Sequence, residues 1–61
     1  MIELGNVYDL EQYGICRCTN TAYYDNMHLY EMQNIDDDSY IIINEYGEPY
    51  GEGSFDDWNI M

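Results

Sequence analysis

Sixty-one residues admit one small domain, and a chain this short buries only about 60% of the surface that its unfolded form exposes. Thirteen carboxylates face a single basic side chain, Arg17, for a formal net charge of -12; direct nucleic-acid binding is excluded on this count, because phosphate contacts need cations. Hydrophobic residues at 46%, aromatics at 16% and a single proline favour a folded chain over a disordered one.

The opening MIELGNVYDL places Glu3 early and has no basic stretch, which argues against a secretory signal. The longest aliphatic run, Ile41-Ile42-Ile43, falls far short of the roughly 20 residues that a membrane-spanning helix needs. A cytoplasmic protein with no membrane association is therefore expected. Asn6 to Leu10 and Gly14 to Thr19 read as two strands, with Glu11-Gln12-Tyr13 as the turn between them. The second strand holds both cysteines. A bridge between Cys16 and Cys18 would be strained and would close almost no loop, so a reduced pair of small buried residues is the simpler reading.

Asn20 to Asn26 begins and ends with turn formers. Met27 to Gln33 fits two readings. As a helix, Tyr23, Met27 and Tyr30 make an apolar stripe at i, i+4 and i+7. The strand is preferred, because that helix would be short and would lack a basic residue in its last turn. Tyr40-Ile41-Ile42-Ile43 has the β-branched and aromatic content of a strand. Between these segments, Asp36-Asp37-Asp38-Ser39 becomes a hairpin loop of four residues. The stretch Gly47 to Gly53 holds three glycines and a proline, which rule out a helix. Ser54 to Trp58 reads as a short helical turn, capped by Ser54 with Asp57 three residues on, in the manner of a capping box.

Asn34 to Glu45 also carries a calcium-like spacing, with Asp36, Asp38, Tyr40 and Glu45 at positions 3, 5, 7 and 12 of an EF-hand loop. Ser39 stands where that loop needs glycine, Ile42 occupies a ligand position, and Tyr46-Gly47-Glu48-Pro49 stops the helix that should follow. Cys16, Cys18 and His28 offer a zinc site three ligands, with no fourth soft ligand in the chain. Neither metal nor cofactor is expected. A single histidine and a single arginine leave little for acid-base work or anion stabilisation, so no enzyme and no catalytic residue is expected.

Gly5-Asn6-Val7-Tyr8, Tyr40 to Glu48 and Gly53-Ser54-Phe55 resemble the opening strand, a strand with an acidic turn, and the closing strand of small SH3-like barrel proteins common among phage products. The expected fold is all-β, or β-rich α+β, as a small antiparallel sheet or SH3-like barrel with one short helix at most. It forms a single domain over 1–61. The small, acidic and tyrosine-rich composition resembles phage-encoded inhibitors of host DNA-handling or defence proteins, including anti-restriction, anti-CRISPR and uracil-DNA-glycosylase inhibitors.

That resemblance implies a DNA mimic. Its partner would be a basic nucleic-acid-binding host protein in the host cytoplasm, and carboxylates would stand where phosphates bind. The expected contacts are Asp36, Asp37, Asp38, Glu45, Glu48, Glu52, Asp56 and Asp57, with Tyr23, Tyr24, Tyr46 and Tyr50 as aromatic anchors of the type enriched at interfaces. The alternative is an interaction module or adaptor, dimeric in one form, that regulates a partner by allostery or assembly.

Overall fold

The computed structural model describes residues 2–60. Its chain is an antiparallel meander of five strands: β1 (Val7–Asp9), β2 (Ile15–Tyr24), β3 (Met27–Asn34), β4 (Tyr40–Asn44) and β5 (Pro49–Glu52), in the spatial order β1-β2-β3-β4-β5. A short 3-10 turn, Glu11–Tyr13, joins β1 to β2. The fold is all-β, and its radius of gyration is 10.2 Å with extents of 29 × 23 × 19 Å. No described helix is long and apolar enough to cross a membrane.

Side chains alternate along each strand, so the register assigns every residue to one of two faces. On the first face, Cys16 and Cys18 stand beside Met32, which stands beside Ile41, while Tyr30 pairs with Ile43. Ile2, Tyr8, Leu10 and Tyr13 fold over this cluster from the N-terminal side. On the second face, Leu29 and Ile42 pack under Phe55, with Ala22, Met27, Tyr50 and Ile60 around them. Both faces are thus covered, one by each end of the chain. This accounts for three consecutive buried isoleucines in β4, where a half-exposed strand would alternate with polar residues.

β2 runs to Tyr24, five residues beyond the Thr19 end expected from sequence. A β-bulge makes this possible: Cys18 pairs with Met32 and Asn20 with Glu31, leaving Thr19 as the extra residue. Asn20 to Tyr24 then continues the strand instead of turning. The turn itself is Asp25-Asn26, with φ of 54° and 60°, the two left-handed positions of a type I′ hairpin. Met27 to Gln33 lies within strand β3, so the helical alternative for that segment is set aside.

The β3–β4 loop spans Ile35 to Ser39, one residue longer than the expected Asp36–Ser39 turn. The closing strand is Pro49–Glu52, and Gly53-Ser54-Phe55 belongs to the turn that follows it. Pro49 is tolerated because it opens an edge strand, where its missing N–H costs no ladder bond. A second bulge at Tyr50 separates the Ile42–Gly51 and Ile43–Pro49 pairs.

The C-terminal turn is built as its sequence indicates. Ser54 N donates to Asp57 Oδ2 at 3.0 Å, and Asp57 N donates back to Ser54 Oγ at 3.3 Å, a reciprocal cap. At its other end Asn59 takes φ of 55°, Ile60 N donates to Phe55 O, and Asn59 N donates to Asp56 O. That is a Schellman closure with asparagine at the left-handed position. It directs Ile60 back onto the Phe55 cluster.

Candidate functional site

Among the described residues, every side-chain carboxylate is exposed except that of Glu31. The meander sorts the exposed ones by its connections. Asp9, Glu11, Asp36, Asp37, Asp38 and Glu52 gather at the end where β1 turns into β2 and β3 into β4. Asp25, Glu45 and Glu48 lie at the opposite end. Asp56 and Asp57 ride on the C-terminal turn over the second face. The expected contact residues therefore form several acidic zones around the body, with Asp36–Asp38 and Glu45–Glu48 at opposite ends of β4.

Two asparagines hold the acidic loops in shape. Asn34 Oδ1 accepts from the amides of Asp36 and Asp37 at 2.7 and 3.1 Å, while its Nδ2 donates to Tyr13 O at 2.7 Å. Asn44 Oδ1 accepts from Tyr46 N and Glu48 N, and its Nδ2 donates to Glu48 Oε1. Asparagine offers both an acceptor and a donor on one short arm, so it closes a turn and ties it to a neighbour. Within the first loop, the hydroxyl and amide of Ser39 both donate to Asp37 Oδ1 and hold that carboxyl below its ordinary pKa. Asp38 sits at φ of 64°, a left-handed position that aspartate tolerates.

The tyrosines divide. Tyr23 and Tyr46 are 79% and 81% exposed and lie at one end of the sheet, Tyr23 near the end of β2 and Tyr46 in the β4–β5 connection, with Tyr24 partly exposed beside Tyr23. Tyr50 is half-buried, tilted against Trp58 with ring centroids 5.7 Å apart. It serves the packing of the second face, not a free surface, because the β5 bulge places it among the residues that cover Ile42.

Sequence reasoning missed the surroundings of His28. Its ring stacks on Tyr23 with centroids 4.5 Å apart and lies tilted against Tyr30 with centroids 4.4 Å apart. Thr21 Oγ1 lies 2.6 Å from Nε2 and the Tyr30 hydroxyl 3.1 Å from Nδ1, so both ring nitrogens are engaged. Burial raises the Tyr30 hydroxyl pKa, and the charge of Glu45 adds to it. The pairing of Thr21 with Tyr30 and of Tyr23 with His28 was the available signal. It becomes visible only once the bulge at Thr19 is known.

Among the described residues, no three His, Cys, Asp or Glu side chains converge on a point that could hold a metal ion. Cys18 pairs with Met32, and His28 lies four residues further along β3, about 13 Å at strand spacing. Cys16 and Cys18 are free and buried, and burial raises both thiols above their ordinary pKa, away from the thiolate that a metal would need. The calcium-like spacing fails for a similar reason: strand β4 carries Glu45 to the end of the sheet opposite Asp36 and Asp38. Comparison with protein-family models, with curated proteins and with solved structures gave no match.

Proposed function

We propose that this chain is a non-enzymatic acidic inhibitor of the phage anti-defence type. It occupies the basic nucleic-acid site of a host defence or DNA-processing protein and excludes the substrate. One observation carries the reading: twelve exposed carboxylates, thirteen less Glu31, surround a body 29 Å long that has one basic side chain. Duplex DNA of that length carries about 17 phosphates. The charge density is therefore of the same order as that of the ligand replaced.

A basic groove focuses its field on anions and raises their on-rate. Carboxylates fixed by asparagine-closed turns reach such a groove with little ordering left to do, which favours affinity. The host cytoplasm is the setting in which such a target would be met. The test is capture of partners from a bacterial lysate on the immobilised protein, followed by challenge with salt and with a short DNA duplex. Displacement of the captured partner by both is the expected result. A partner that holds this chain and nucleic acid together sinks the reading.

Exposed Tyr23 and Tyr46 favour a second reading, an adaptor that binds through its aromatic end. Binding would then resist salt and leave the nucleic-acid site of the partner open.

A further inference from the structure

Two clefts meet at Gln12 and Tyr13. The larger, about 340 Å³, is lined by Asp9, Leu10, Glu11, Tyr13, Ile43 and Pro49 among others. The smaller, about 230 Å³, includes Tyr13, Tyr40, Ile41, Asp37 and Glu52 in its lining. Together they make a trough along the seam between the β1–β2 connection and the outer strands β4 and β5. Asp9 and Glu11, which no sequence pattern singled out, belong to it.

We propose that this trough seats arginine side chains of the partner protein, so that recognition combines charge with shape; the proposal rests on the acidic-inhibitor reading above. Charge complementarity selects the occupant: among the described residues, four carboxylates and no basic side chain line the two clefts. Leu10, Ile43 and Pro49 supply an apolar floor, which suits the aliphatic stem of a long cationic side chain. Tyr13 and Tyr40 supply ring surface, on which a planar guanidinium stacks while its fork of donors meets carboxylates in pairs. Lysine has the stem and the charge but neither the plane nor the fork. The larger cleft lies at the low end of the range of about 300–1,000 Å³ for small-molecule sites, a volume suited to side chains.

The walls are held before any partner arrives. Asn34 Nδ2 donates to Tyr13 O at 2.7 Å, and Leu10 N donates to Gly14 O at 2.9 Å, which fixes the 3-10 turn. Glu11 N donates to Asp9 Oδ1 at 3.1 Å, and among the described residues no hydrogen bond engages the second oxygen of that carboxylate. Ser39 anchors Asp37 on the opposite wall.

The test compares a six-residue arginine peptide with a six-residue lysine peptide of equal charge, by calorimetry and amide-shift mapping on the full chain. At physiological salt the arginine peptide is expected to bind about fivefold tighter, with shifts concentrated on residues 9–13 and at Tyr40. A variant carrying Asp9→Asn and Glu11→Gln should lose that preference while keeping a folded amide spectrum. The control pair Asp25→Asn and Glu45→Gln removes the same charge at the other end and should keep it. Equal affinity for the two peptides, shifts spread evenly over the acidic surface, or loss of preference in the control overturns the proposal. Failure here is separable from failure of the inhibitor reading. A DNA-displaced partner that binds the Asp9→Asn, Glu11→Gln variant unchanged removes the trough alone. An arginine-selective trough with no DNA-displaced partner removes the inhibitor reading alone.

Discussion

The amide of Phe55 donates to Glu31 Oε2 at 2.7 Å, tying the C-terminal turn to the middle of β3. The other oxygen of the same carboxylate accepts from Thr19 Oγ1 at 2.6 Å, at the bulge in β2. One buried acid thus anchors both the irregular strand and the segment that covers the second sheet face. Replacing Glu31 with alanine leaves the buried Phe55 amide without its acceptor, while Thr19 Oγ1 keeps the backbone carbonyl of residue 31 at 3.2 Å, so the cost is about 2 kcal/mol. Glutamine keeps an acceptor for Phe55 and a donor for Thr19, and should cost about 1 kcal/mol. Urea unfolding of the two variants measures both. An alanine variant as stable as the parent would show that this carboxylate anchors nothing.

Gly51 and Trp58 are fitted to one another. A Cβ added at Gly51 would overlap the indole ring, whose Nε1 donates to Glu52 O at 2.9 Å. Gly51→Ala should therefore displace Trp58, break that bond, and destabilise the fold by roughly 1–3 kcal/mol, as overpacking does. Trp58 is the only tryptophan, so its emission reports the displacement directly. A red shift is expected in Gly51→Ala before any unfolding. An unshifted spectrum with unchanged stability would refute the close fit.

Much of this architecture is legible in residues whose chemistry is local. Tyr40 to Ile43 announces a strand, and Ser54 with Asp57 announces a cap that forms reciprocally. The rest depends on relationships between distant segments. The bulge at Thr19 shifts the alternation of β2, so Asn20 to Tyr24 reads as a loop until the pairing with β3 is known. Pro49 and Gly51 depress strand propensity in β5, although an edge position and the Trp58 ring account for both. Asp36–Asp38 dominates the eye in the sequence, while Asn34 supplies the acceptor that closes that loop. Asp9 and Glu11 enter the candidate site only because the β1–β2 connection folds over the first face.

Stability should fall in alkali through the two thiols. Burial raises Cys16 and Cys18 above their ordinary pKa, with the charge of Asp37 adding at Cys16 and that of Glu31 at Cys18. Below about pH 8.5 both states hold the protons and the contribution is complete. Above that value the unfolded chain releases them while the folded chain retains them, so stability is lost as pH rises toward the folded values. Replacing both cysteines with valine should flatten this limb of the pH profile relative to the parent. Identical alkaline limbs in parent and variant would assign the loss to other groups.

Salt should act on the fold and on its binding with opposite signs. The exposed carboxylates repel one another across a body 29 Å long, and the screening length at 0.01 M salt is about 30 Å, enough to span it. At 1 M it shrinks to about 3 Å, and the self-repulsion that opposes compactness is largely removed. A gain of about 1 kcal/mol corresponds to roughly 4–8 °C in the melting temperature of a domain this small. The melting temperature should therefore climb by about that much between low and high sodium chloride, while capture of a basic partner weakens over the same range. Calorimetric melts and binding isotherms across one salt series read both slopes. A melting temperature that falls with salt would mean that attractive ion pairs outweigh repulsion in this chain. That outcome would undercut the view that its charge is carried at the expense of stability for the sake of a partner.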